Sequence, residues 1–136
     1  MIFGVFDALH DGHRFFLSEA EKLGDRVVAV VASDENVVRL KGRAPVQSLT
    51  ERMEKILEER RADLVVAGDD QIGAWTAVKI HRPDIIALGY DQDELRRALA
   101  DFISREHLAA IIVRIKSFRD KTLHSSKLRD KKRTPK

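Results

Sequence analysis

The chain has no cysteine, so it can form neither a disulfide nor a cysteine-ligated metal site. No apolar run approaches the ~18 residues that a membrane-spanning helix needs. Met1 leads directly into an apolar strand pattern, and no signal peptide is expected. Aromatics are scarce, at 6% of 136 residues. Few aromatics, no cysteine and a high charged fraction together fit a cytoplasmic protein. There is no internal repeat and no interdomain linker. The chain therefore reads as one domain, 1–130, followed by a basic tail, 131–136, expected to be disordered.

Charge of one sign is missing locally rather than globally. The formal net charge is +3, but the segment from Arg114 to Lys136 holds 10 Lys/Arg against 2 Asp/Glu, and the remainder is net −5. Such asymmetry calls for an anionic ligand or partner. A polyphosphate nucleotide meets that need, and so does a nucleic acid.

What the sequence does have is alternation. Strand patterns occupy Met1 to Phe6, 26–32, 64–67, 84–88 and 109–115. The near-continuous run Val27-Val28-Ala29-Val30-Val31-Ala32 is how a strand covered on both faces reads. Between the strands lie helical patterns. Phe16, Ala20 and Leu23 share one face of the first, which Gly24 closes as a C′ residue. A short helix follows at 35–40. Ser48-Leu49-Thr50-Glu51 is a capping box that starts a helix with Leu49, Met53, Ile56 and Leu57 inward. Another helix spans 72–81 and stops before Pro83. The next is capped by Asp91 with Glu94 and buries Leu95, Leu99, Phe102 and Ile103. A short final helix opens at Ser125-Ser126. Trp75 is assigned to the core or to an interface.

Strands alternating with helices give an α/β fold. The expectation is a Rossmann-like, doubly wound, five-stranded parallel sheet in order 3-2-1-4-5, with helices on both faces. Ligands bind such sheets beyond the carboxyl ends of the strands, at the switch point. The unusual turns of this chain fall at those ends.

The most informative turn is Gly4-Val5-Phe6-Asp7-Ala8-Leu9-His10-Asp11-Gly12-His13. A strand runs into it and a helix leaves it. A helix start carries unpaired N–H groups and partial positive charge, which suit a phosphate. Gly12 allows close approach. His10 and His13 then border a phosphate-sized site, where imidazole can donate hydrogen bonds or, when protonated, offset charge. Two histidines three apart could also touch one metal, but no third ligand is near in sequence. Lys41 and Arg43, on a basic Gly/Pro-broken loop, can hold either an acceptor phosphate or a triphosphate. Gly89 permits a base or ribose to approach, and Asp91 and Gln92 can read hydroxyl or amino groups.

The spacing Gly-x-Phe-Asp-x-x-His-x-Gly-His resembles the signature of the cytidylyltransferase-like nucleotidyltransferases. Leu123-His124-Ser125-Ser126-Lys127-Leu128-Arg129 resembles a further signature of that family. Leu88-Gly89-Tyr90-Asp91-Gln92 and the His-Ser-Ser form look like those of archaeal FAD synthetases. The resemblance implies transfer of a nucleoside monophosphate from a nucleoside triphosphate to a phosphate-bearing acceptor, with release of pyrophosphate. It places Val5, Phe6, Asp7, Gly12, Gly89, Asp91, Gln92, Arg119, His124, Ser125 and Ser126 at the nucleotide. His10, His13 and Lys41 would carry the reaction, and Arg43 and Arg52 would meet the acceptor. Mg²⁺ is expected with the triphosphate, with no dedicated protein metal site. Of the carboxylates nearby, Asp7 is the one favoured to meet the metal, and it could instead orient a histidine or a substrate hydroxyl. A homodimer is expected, with no membrane partner. FMN with ATP is the first choice of substrates, glycerol 3-phosphate or a sugar phosphate with CTP the second. A nucleic-acid-binding module using the basic C-terminal segment is the reading from a different class, and a homologue that has lost activity is a third.

Overall fold

A computed structural model of the chain describes residues 1–117. Five strands, β1 (Ile2–Gly4), β2 (Val28–Val31), β3 (Leu64–Ala67), β4 (Ile85–Gly89) and β5 (Ile111–Ile115), form one parallel sheet in order β3-β2-β1-β4-β5. This is the order expected from the alternation. The helices are α1 (Asp11–Glu21), α2 (Asp34–Lys41), α3 (Leu49–Glu58), α4 (Thr76–His81) and α5 (Asp93–Arg105).

Two apolar clusters fill the two faces. On one, Leu17 and Ala20 of α1 and Ile56 of α3 pack on Ile2, Ala29, Val31 and Ala87. On the other, Val78 of α4 and Leu99 and Phe102 of α5 pack on Val30, Ile86 and Leu88. Alternate residues of β2 and β4 thus feed opposite clusters, as the two-residue strand period requires. That is why those strands read as unbroken apolar runs. Trp75 is a core residue, edge-on to Phe3 and tilted against Phe102, each at 6.2 Å between ring centroids.

Several boundaries differ from the sequence expectation. β1 ends at Gly4 because Phe6 takes left-handed backbone. α1 ends at Glu21 with Lys22 as its right-handed cap, so Gly24 is not its C′ residue. α4 begins at Thr76, not 72, because Gly73 (φ 82°) and Trp75 (φ 52°) are both left-handed and cannot continue a helix. Leu57 is 51% exposed rather than inward. α5 is capped by Gln92, not Asp91, and no side chain makes the cap bond. None of the helices among the described residues is long and apolar enough to cross a membrane.

Candidate active site

The chain passes from β1 to α1 through a strained turn. Phe6 and Ala8 both have positive φ, 53° and 50°. Such backbone costs about 1–3 kcal/mol per residue and persists only where the surroundings over-determine it. Two anchors do so. The Phe6 ring is buried in the α1/α3 core and doubles back over Gly4, where a Cβ would lie 2.7 Å from the ring. Asp7 accepts hydrogen bonds from the Val46 and Gln47 N–H groups at 2.7 and 2.9 Å. Gln47 Oε1 in turn accepts from the Ala8 N–H at 3.1 Å.

Burial pushes the Asp7 pKa up. The two N–H donors and the cations of Arg52 and Arg43 outweigh it and hold the carboxyl below its ordinary value. Both Asp7 oxygens are bonded to the chain connecting α2 to α3, and neither orients a histidine. Phe6 contributes its ring to the core, so only its backbone can face a ligand.

His10 and His13 cap α1 together. His10 Nδ1 accepts from the Gly12 N–H at 3.0 Å, and His13 Nδ1 accepts from the His10 N–H at 3.2 Å. This is a capping box made by imidazoles instead of Ser and Glu. The rings stack with centroids 3.9 Å apart. Because both Nδ1 atoms accept, each ring when neutral carries its proton on Nε2 and keeps that one donor. His13 is half-buried against Phe6. Burial first, and then the charges of His10, Lys41 and Arg14, lower its pKa to about 4, opposed by Asp7. Near neutral pH, His13 is therefore an uncharged donor and not a cation. Gly12 is needed for this stack, since a Cβ there would meet His10 Cε1 at 2.8 Å.

Lys41 is the last residue of α2 and not part of a loop. Gly42 ends that helix in left-handed backbone (φ 75°), donating to Val38 O at 2.8 Å. Lys41 and Arg43 are both exposed, and their charges act on His13 and Asp7 respectively.

At the other side of the switch point, Gly89 ends β4. Gln92 Oε1 accepts from the Gly89 N–H at 2.7 Å, and Gln92 Nε2 donates to Phe3 O at 3.1 Å. The amide thus stitches β4 to β1, which leaves one of its N–H groups and one lone pair uncommitted. Asp91 is exposed, with one oxygen 3.2 Å from where a Gly89 Cβ would be.

Arg52, expected to reach an acceptor, is instead fully buried (0% exposed) and donates to protein atoms. Gln47 and Arg114 were not anticipated. Arg114 Nη2 donates to Tyr90 O at 2.6 Å and steadies the turn after β4. The only local sign for Gln47 is its place just before the Ser48 cap, and Arg114 has none. Arg119, His124, Ser125 and Ser126, with the final helix and the tail, lie outside the described residues.

A model of the family described as cytidylyltransferase-like matches residues 1–131. The chain belongs to the cytidylyltransferase-like family. A protein of Thermococcus sibiricus named FAD synthase is 42% identical over 112 residues, covering 82% of this chain and 76% of that one. A Thermoplasma volcanium protein of the same name is 37% identical over 131 residues, covering 96% and 91%. A crystal structure from Thermoplasma volcanium, described as a lipopolysaccharide core biosynthesis protein, superposes with a TM-score of 0.76 at 35% identity, covering 86% of this chain and 96% of that one.

Proposed function

We propose that this protein is an FMN adenylyltransferase, joining AMP from ATP to FMN to give FAD and pyrophosphate. The observation that carries the reaction class is the histidine-capped start of α1, where the stacked His10 and His13 rings, each with its Nδ1 engaged and its Nε2 left as a donor, follow the carboxyl end of β1. The names of the relatives that match over most of both chains support the substrates.

The FMN phosphate is already a nucleophile, so no general base is required. Its oxygen attacks the α-phosphorus of ATP, the new P–O bond forms, and the bond to the bridging α–β oxygen breaks. The electron pair leaves with pyrophosphate. His10 and His13 donate to phosphoryl oxygens on which charge develops, and Lys41 and Arg43 offset the charge of the polyphosphate and acceptor. Ser125 and Ser126 of the second signature, with His124 beside them in sequence, would meet the β- and γ-phosphates, and Arg119 upstream of it would stabilise the leaving pyrophosphate. Among the described residues no group of three or more His, Asp or Glu side chains could hold a metal. Mg²⁺ would enter on the triphosphate, held mainly by phosphate oxygens. The reading includes a homodimer in the cytoplasm, and sedimentation of the purified protein tests the dimer.

Pyrophosphate release and FAD formation are measured with Mg²⁺ across ATP, CTP, GTP and UTP. Each is paired with FMN, glycerol 3-phosphate and sugar phosphates. Turnover with ATP and FMN is the expected result. Turnover only with CTP and glycerol 3-phosphate or a sugar phosphate would replace the substrates and keep the class. Failure to bind any triphosphate would overturn the class.

A further inference from the structure

A guanidinium with no exposure to solvent needs a full set of partners, because an unpaired buried charge is strongly destabilising. Arg52 has that set. Its Nε donates to Gln47 O at 3.1 Å, its Nη1 to Val5 O and Ala32 O at 2.8 Å each, and its Nη2 to Asp34 Oδ1 at 2.6 Å. Asp34 is itself 54% exposed, so the ion pair reaches the surface only on the carboxylate side.

The four acceptors belong to four segments that meet at the carboxyl edge of the sheet. Val5 is the last residue before the strained turn. Ala32 follows β2. Asp34 is in the first turn of α2, whose far end is Lys41. Gln47 sits just before α3, and its N–H is bonded to Asp7 while its side chain is bonded to Ala8. One planar group thus holds the root of the histidine turn and both ends of the stretch that carries Lys41 and Arg43. A lysine has a single nitrogen and cannot bridge the same four acceptors.

We propose that Arg52 is a positioning residue. It fixes the spacing between the His10–His13 pair and the Lys41–Arg43 segment, and it does not contact the acceptor. The proposal rests on the adenylyl-transfer reading above only for its kinetic readout. It acts through the Val5 and Gln47 carbonyls and the Asp7 bonds beyond them. Complete enclosure of the side chain, with four of its five donors committed, keeps it from meeting a ligand.

The test compares wild type, Arg52→Lys and the milder Asp34→Asn. FAD formation is measured, and the His13 imidazole is titrated by NMR. Arg52→Lys is expected to lower kcat about 100-fold, the scale of a small misplacement of reacting groups. KM for FMN should stay within about twofold, because no substrate contact is lost. The His13 pKa should rise slightly as the Lys41 end of α2 moves off, since Lys41 lowers it after burial and His10. Asp34→Asn should give a smaller change in the same direction, and it carries the test if Arg52→Lys does not fold. A KM for FMN raised about tenfold with kcat kept would make Arg52 an acceptor contact and overturn the proposal. A lowered melting temperature with kcat, KM and His13 titration all unchanged would overturn it too, leaving a purely structural brace. If wild type makes no FAD, the substrate reading fails. The His13 titration then decides this proposal alone, and an unchanged His13 in Arg52→Lys overturns it.

Discussion

His10 and His13 hold each other in place: the Nδ1 of His13 accepts the backbone N–H of His10, and the two rings stack at 3.9 Å. The pair is the cap of α1 and, in the proposed reaction, also the donor face of the site. Replacing His13 by Ala removes both roles, and the two consequences differ in size. Loss of one capping bond should cost about 1 kcal/mol of stability. Loss of a donor to developing phosphoryl charge should lower kcat by about 100- to 1,000-fold. Thermal melting and FAD formation separate the effects. A folded His13→Ala protein with near-normal turnover would remove His13 from the reaction.

The lowered pKa of His13 makes a prediction with a definite sign. The unfolded chain has an ordinary histidine, near 6.5, and the folded one titrates at about 4. Between those values the unfolded state binds more protons, so stability falls as pH drops from about 6.5 toward 4 and is complete above that window. His13→Gln keeps a neutral polar side chain and should flatten this part of the stability–pH curve. Urea melts across pH 4 to 8 provide the measurement, with the unfolding free energy as readout.

Gly12→Ala should act through His10. The added Cβ would stand 2.8 Å from His10 Cε1 and 3.1 Å from its Nδ1, inside contact distance, so the ring must swing away from the stack. The helix itself gains from alanine by roughly 0.5–1 kcal/mol, which limits the net loss of stability. Activity should drop at least about tenfold while the melting temperature changes little. Retained activity would mean that the stack is not needed for turnover.

The order of strands, both faces of the core and the histidine turn were legible because each is written in a local pattern. Apolar runs such as Val27 to Ala32 mark doubly covered strands, and the turns at their ends mark the site. The start of α4 was not legible, since the left-handed backbone at Trp75 is set by its packing on Phe3 and Phe102. Arg52 reads as a surface helix residue because its four acceptors come from positions 5, 32, 34 and 47. Asp91 with Glu94 reads as a cap from spacing alone, yet the chain follows Gln92, whose amide is drawn down between β1 and β4. What sequence spacing cannot express is competition from partners distant in the chain.

That competition at Gln92 is itself testable. Its amide closes the switch point by accepting from the Gly89 N–H and donating to Phe3 O. Gln92→Met keeps the length and shape of the side chain and leaves both backbone groups without these partners. Each buried orphan costs about 1–3 kcal/mol where water cannot replace the bond, and less at this half-buried position. A loss of about 1–3 kcal/mol in urea melts is therefore expected for the pair. Gln92→Glu retains an acceptor for the Gly89 N–H but, when ionised, sets a carboxylate against the Phe3 carbonyl, so at neutral pH it should not restore stability. The kinetics discriminate between the two roles open to this amide. If it is a stitch, both variants destabilise the protein and lower kcat through misplacement of the Gly89 turn. If it reads the nucleotide directly, KM for ATP rises while the melts stay unchanged.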